Sequence, residues 1–142
     1  MADHGRSEHN ERNGRELPTA DCRRLLATQA LGRVGLTSGA LPVIVPVEYA
    51  YEGDVITFRT AGDDKLRAAA DGHVLAFEVD AYDAESGSRW SVHVLGRATV
   101  VTDAANEPQT LLDAQRAETA PGHVVRLQCE IIEGRLLAHS CI

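Results

Sequence analysis

Apolar residues recur at every second position through most of this chain, and a period of two predicts strands. In residues 41–51, Leu41, Val43, Val45, Val47 and Tyr49 share one face. In residues 73–82, Leu75, Phe77 and Val79 face one way, with Ala76, Glu78 and Asp80 opposite. Residues 89–102 form the longest alternating run, with Trp90, Val92, Val94 and Ala98 on one side. Gly96 interrupts it, as a bend or bulge in a closing barrel would. Shorter runs at 33–37, 55–60, 123–132 and 135–139 continue the pattern, with Val125, Leu127, Cys129 and Ile131 alternating in the third of these. Ser38-Gly39, Glu52-Gly53-Asp54, the polar loop 83–88 and Glu133-Gly134 supply the turns. Pro42 and Pro46 fall on the opposite parity of their strand, which predicts an edge, a bulge or a place where a ligand takes over the ladder.

Helical spacing is rarer. After Leu17-Pro18, Thr19 is placed to cap a helix, Asp21 suits its positive end, and Leu25, Leu26 and Ala30 form its apolar stripe up to a stop at Gly32. A short helix is predicted over 66–71, closed by Gly72, and another from Asn106-Glu107-Pro108, with Leu111 and Leu112 inward. Residues 1–16 are polar and predict a mobile tail ahead of a single domain over 17–142. Six or seven antiparallel strands, mostly joined by hairpins and flanked by two or three short helices, favour a barrel over a doubly wound sheet.

Composition narrows the function. A chain of 142 residues can bury a core without disulfides, and at 4% aromatics that core must be mostly aliphatic. A net charge of −7 argues against nucleic acid and anionic membranes as partners. No apolar run reaches the length of a membrane span, and the N-terminal stretch lacks the apolar segment of a signal peptide. Cys22, Cys129 and Cys141 are odd in number, widely spaced and without metal-ligand spacing, which predicts a reduced, cytoplasmic setting.

One stretch carries candidate chemistry. A strand ends in Phe58-Arg59-Thr60, a polar loop follows over 61–64, and Lys65-Leu66 opens a helix. A guanidinium fork, a hydroxyl and an ammonium around one turn suit a phosphate group. Arg59 and Lys65 also read as two surface charges flanking a turn. Glu78 and Asp80 lie on one strand face and fit either acid–base work or a hydrogen-bonded structural role. His73 and His93 are strand residues that could ligate iron or simply be satisfied in place. Trp90 either plugs a barrel end or faces a flat ligand. There is no Gly-x-Ser-x-Gly and no evident nucleophile.

The order of segments is itself informative: Leu31-Gly32-Arg33-Val34-Gly35, Pro42 to Tyr49, Phe58-Arg59-Thr60 with Lys65-Leu66, Phe77-Glu78-Val79-Asp80, and Trp90-Ser91-Val92 with Gly96-Arg97-Ala98. Together they resemble the pyridoxamine 5′-phosphate oxidase-like family of flavin-binding split barrels, over about residues 17–139. The resemblance implies a mainly β fold, a six-stranded antiparallel split β-barrel, and a homodimer with an FMN site in each interface groove. It implies that Arg59, Thr60 and Lys65 hold the FMN phosphate. It places Val45, Pro46 and Val47 along the ring, and brings Trp90 and Ser91 toward it from the partner subunit. A flavin-dependent oxidoreductase acting on a small molecule is the activity implied. Related split barrels use deazaflavin or haem, with His73 or His93 as the candidate haem ligand. A dimeric binding protein that has lost its flavin is the non-enzymatic alternative. Two features depart from the pattern. Asp63-Asp64 stands where relatives carry small or hydroxyl residues and repels a phosphate dianion, and Glu48 stands where asparagine is common. The end of the chain, 131–142, has no match to the basic substrate motif of the true oxidases, which argues against vitamin B6 oxidation.

Overall fold

The computed structural model describes residues 14–60, 64–101 and 122–137, and the side chains of all of these except residues 64 and 65. The helix expected from Asn106, Asp63, and residues 1–13 of the expected tail lie outside the described residues.

The strands are β1 (Arg15–Glu16), β2 (Leu31–Ser38), β3 (Leu41–Glu52), β4 (Val55–Arg59), β5 (Val74–Tyr82), β6 (Arg89–Val101), β7 (Val124–Gln128) and β8 (Ile131–Leu137). Among the described residues two helices accompany them, α1 (Thr19–Leu26) and α2 (Asp64–Ala70). All pairings are antiparallel. Strand order runs β1-β8-β6-β5-β2-β3-β4-β7, and β7 also pairs with β6. Six strands thus close into a barrel, as the alternation and the resemblance both implied, while β8 and β1 extend the sheet outward from β6.

Closure works because one parity of each strand is apolar. Val34 and Leu36, Ile56 and Phe58, Leu75, Phe77 and Val79, Val92 and Val94, and Val125 and Leu127 all point inward and are buried. Tyr49 meets Phe77 edge-to-face, with ring centroids 4.8 Å apart, a favoured aromatic geometry. α1 closes one side by burying Cys22 and Leu26, and the Tyr49 hydroxyl donates to the Leu26 carbonyl at 2.6 Å. α2 buries Leu66 and Ala70.

Several expected boundaries move, each for a physical reason. α1 ends at Leu26, well before Gly32, and Pro18 rather than Thr19 occupies its N-cap, with no side-chain capping bond. Gly32 lies inside β2, where a Cβ would stand 2.3 Å from the Phe77 ring. Arg15 and Glu16, at the end of the expected tail, pair with Leu136 and Arg135, and the Leu17 amide donates to the Gly134 carbonyl. The run 123–132 is two strands. At the break the Cys129 amide donates to the Asp54 carbonyl, and the Glu130 amide to those of Leu95 and Gln128. Gly134 is a strand residue and not a turn: a Cβ there would meet the Cys22 sulfur at 2.4 Å.

Candidate functional site

β3 is twelve residues long, but its two edges are used unequally. Along one edge residues 41–48 pair with β2. Along the other, pairing with β4 begins only at Tyr49. Among the described residues no other strand pairs with the second edge of residues 41–48, and this is where the barrel splits. The Tyr49 amide donates to the Ala30 carbonyl at 2.9 Å, on the β2 side. Main-chain groups in an antiparallel strand alternate sides, so Val43, Val45 and Val47 also turn theirs to β2. Pro42, Ile44, Pro46 and Glu48 turn theirs to the open edge. Both prolines thus sit where no ladder bond is lost, as an edge strand requires. What remains along the edge is a row of carbonyl acceptors with the amide donors of Ile44 and Glu48.

β4 ends beside this edge. Tyr49 is opposite Phe58, so Arg59 and Thr60 lie where β3 runs on alone. Thr60 is buried at 2% exposure. Its amide donates to the His123 carbonyl at 3.0 Å, and its hydroxyl accepts from the His123 amide at 3.0 Å. Arg59 is half-buried and donates to the Gly122 carbonyl at 3.4 Å. Lys65 follows in the first turn of α2. The fold therefore brings Arg59 and Thr60 to the end of the open edge, beside Glu48 and Val47 of the stretch that holds Val45 and Pro46, while Lys65 is placed only by its position in the first turn of α2.

Trp90 and Ser91 are elsewhere. They lie at the start of β6, with β5 and β2 between them and β3, a separation of about 14 Å at the usual strand spacing. Trp90 is half-buried against the core, and Ser91 is opposite Asp80. One chain does not bring these two residues to the Arg59–Lys65 turn.

The outer face of the sheet holds a second constellation. Register aligns Pro46, Arg33, Glu78, His93 and Glu133 in one row across β3, β2, β5, β6 and β8. The adjacent row is apolar: Ile44, Gly35, Ala76, Leu95 and Ile131. A pocket of about 530 Å³ lies over the two rows. Ile44 is 73% exposed, Ile131 52% and Leu95 44%. Glu78 and Asp80 share one face as expected, and one Arg33 nitrogen reaches both, at 3.4 Å to each. Burial, followed by the hydrogen bond and negative charge of Asp80, pushes the Glu78 carboxyl up to about 7 against the pull of Arg33. Nothing before the structure connected Arg33, His93 or Glu133 with Glu78. Only cross-strand register does so.

His73 lies apart from this row, beside a second cavity of about 630 Å³ between α2 and the β2–β3 turn. Among the described residues no cluster of three or more His, Cys, Asp or Glu side chains could hold a metal ion. No helix among them is long and apolar enough to cross a membrane.

Comparison with known proteins agrees with this fold. Residues 18–136 match the family model described as pyridoxamine 5′-phosphate oxidase. An uncharacterised protein of Mycobacterium tuberculosis is 36% identical over 136 residues, covering 88% of this chain and 87% of that protein. The solved FAD binding protein from Mycobacterium smegmatis is 38% identical with a TM-score of 0.67, covering 86% of this chain and 97% of that one. A FAD-binding protein from Mesorhizobium loti shares the fold at 22% identity with a TM-score of 0.72, covering 87% of this chain and 96% of that one.

Proposed function

Since this chain belongs to the pyridoxamine 5′-phosphate oxidase family, we propose that it binds a flavin nucleotide and serves as a flavin-dependent oxidoreductase for a small molecule. The observation that carries this reading is the open edge of β3 lying beside Arg59 and Thr60. A flavin needs both parts: main-chain partners for the polar rim of its ring, and a cationic turn for its phosphate. The acceptors and donors of the residue 42–48 edge suit the first. Arg59, Thr60 and Lys65 suit the second. A bound flavin supplies electron and hydride transfer, and the protein's residues position it and set the field around it. That division of labour accounts for a sequence in which no feature identifies a catalytic nucleophile.

The separation of Trp90 and Ser91 from β3 fits a homodimer. A second copy seated on the apolar outer face would bring the start of its β6 toward the first copy's β3. The exposed Ile44, Leu95 and Ile131 supply apolar surface for such a contact.

FMN ends in a phosphate monoester and FAD carries a diphosphate, and at neutral pH each brings about two negative charges, so total charge does not separate them. The FAD binding protein from Mycobacterium smegmatis is 38% identical over 86% of this chain, and FAD is therefore expected to bind more tightly than FMN. The test is to load the purified protein with each flavin, desalt it and record the visible spectrum, then titrate both. Retained flavin with FAD the tighter is the expected result. Tighter binding of FMN would set this chain apart from that relative in its cofactor, and retention of neither would overturn the flavin reading. Lys65→Ala is expected to weaken the bound flavin about ten- to a hundredfold, one charge-assisted contact being worth about 1.5–3 kcal/mol. Unchanged affinity would take Lys65 out of the site.

A further inference from the structure

A cavity of about 630 Å³ separates α2 from the β2–β3 turn. α2 buries Leu66 and Ala70 against the barrel and turns Ala68 and Ala69 toward the cavity. Two methyl side chains leave space there that longer ones would fill. Across from them is the turn at Ser38-Gly39, where a Cβ on Gly39 would meet nothing within 4 Å. Leu75, which is buried, and Val74, which is exposed, add apolar lining.

The polar groups of the lining are two hydroxyls, from Thr37 and Ser38, and the imidazole of His73. His73 hangs from a fixed point: its amide donates to the Ala70 carbonyl at 3.2 Å, and its carbonyl accepts the Ala98 amide at 2.8 Å. Among the described residues no carboxylate, ammonium or guanidinium lines the space. Of the neighbouring charges, Arg67 is exposed to solvent. The Asp71 carboxylate accepts the Val100 amide at 3.2 Å. Arg97, opposite Val74 on β6, donates to the Gly72 carbonyl. A charged group would find no partner inside, which is costly, whereas a flat uncharged group with a polar edge is well matched.

α2 sets where this cavity stands relative to the phosphate turn. Lys65, Ala68 and Ala69 are spaced i, i+3 and i+4, which places the three positions on one face of the helix, one turn apart. A turn rises about 5.4 Å. The cavity thus begins one turn beyond the residue proposed above to hold the flavin phosphate. FMN ends at that phosphate. FAD continues through a second phosphate to adenosine, whose base is flat, uncharged and rimmed with donors and acceptors, and whose ribose carries hydroxyls.

We propose that this cavity receives the adenosine of FAD. Ala68, Ala69 and Val74 would meet the apolar faces of the base, and Thr37, Ser38 and His73 its edge and the ribose. The inference rests on the flavin reading above and adds a physical basis for preferring FAD to FMN, because the cavity acts only on the half of FAD that FMN lacks.

Calorimetric titration of the flavin-free full chain with FAD and with FMN tests this. Ala68→Trp fills the cavity from an exposed helix position. It should raise the dissociation constant of FAD at least about tenfold and leave that of FMN within about threefold. Ser38→Ala combined with His73→Ala removes two hydrogen-bonding groups without adding bulk, and it carries the test should Ala68→Trp fold poorly. It should reduce the ratio of FAD to FMN affinity by at least about fivefold. A ratio unchanged in either variant that folds, whether through no loss or through equal loss of both flavins, overturns the adenosine site and leaves the flavin reading standing. A wild type that binds FMN and not FAD also overturns the adenosine site alone. A wild type that binds neither overturns the flavin reading and this site together.

Discussion

Gly96→Ala should destabilise the barrel by at least about 3 kcal/mol, at the upper end of what overpacking costs. β6 changes partners at this glycine. Up to Leu95 it pairs with β8, and from Ala98 it pairs with β7. The incoming strand crosses so closely that a Cβ on residue 96 would stand 1.5 Å from the Gln128 carbonyl oxygen. That oxygen belongs to backbone and also accepts the Glu130 amide at 3.0 Å. No rotamer change relieves the contact, so the two strands must part or the chain must unfold. Against a typical domain stability of about 5–15 kcal/mol the loss is large, and it should lower the melting temperature by about 10 °C. Gly39→Ala is the control. Its Cβ meets nothing within 4 Å, but its φ is +55°, so it should lose only about 1–2 kcal/mol of left-handed backbone strain. Equal melting temperatures for the two variants would show that the β6–β7 crossing yields more readily than its geometry implies.

Gly96 also marks the limit of what could be read before the structure. Its place at a bend was legible because it breaks a long alternation. The reason, an approach by Gln128, was not. Gly32 and Gly134 show the same limit more sharply. As isolated letters they read as a helix stop and a turn. In the fold they are strand residues pressed on Phe77 and Cys22, far away in sequence. Local punctuation and close packing ask for the same residue, and periodicity cannot separate them. The break at Cys129-Glu130 was hidden for a related reason. Apolar letters continue through Ile131, but the face flips there: Ile131 is 52% exposed while Ile132 packs against the core. Strand existence, by contrast, followed from the period of two nearly everywhere, because one buried face imposes it.

The candidate site divides along the same line. Arg59, Thr60 and Lys65 were legible because they lie within seven residues of each other on one strand–loop–helix passage. The prolines of β3 signalled an edge, and the structure shows which of its residues face outward. Arg33, Glu78, His93 and Glu133 are scattered over a hundred residues and meet only through the register of four strands. No local spacing encodes such a row.

The second large effect expected is loss of flavin retention in Arg59→Ala combined with Lys65→Ala. In the proposed site each cation gives the phosphate one charge-assisted contact worth about 1.5–3 kcal/mol. Two such contacts amount to about 10²–10⁴ in affinity, less any coupling between neighbours on one phosphate. The strand that carries Arg59 fixes it in place. Its backbone pairs with Val124, and its guanidinium is oriented by the Gly122 carbonyl, so little freedom remains to be lost when a phosphate arrives. Thr60 beside it should behave differently. Its hydroxyl already accepts the His123 amide, so Thr60→Ala should cost stability, through a buried amide left unmet, as much as it costs flavin affinity. Equilibrium dialysis with FAD, alongside a thermal melt of the flavin-free protein, separates the cases. The double variant should melt like the wild type and retain no flavin after desalting. If it binds FAD within threefold of the wild type, the phosphate is held elsewhere, and the turn at Arg59 is the charged surface loop that its sequence also allowed.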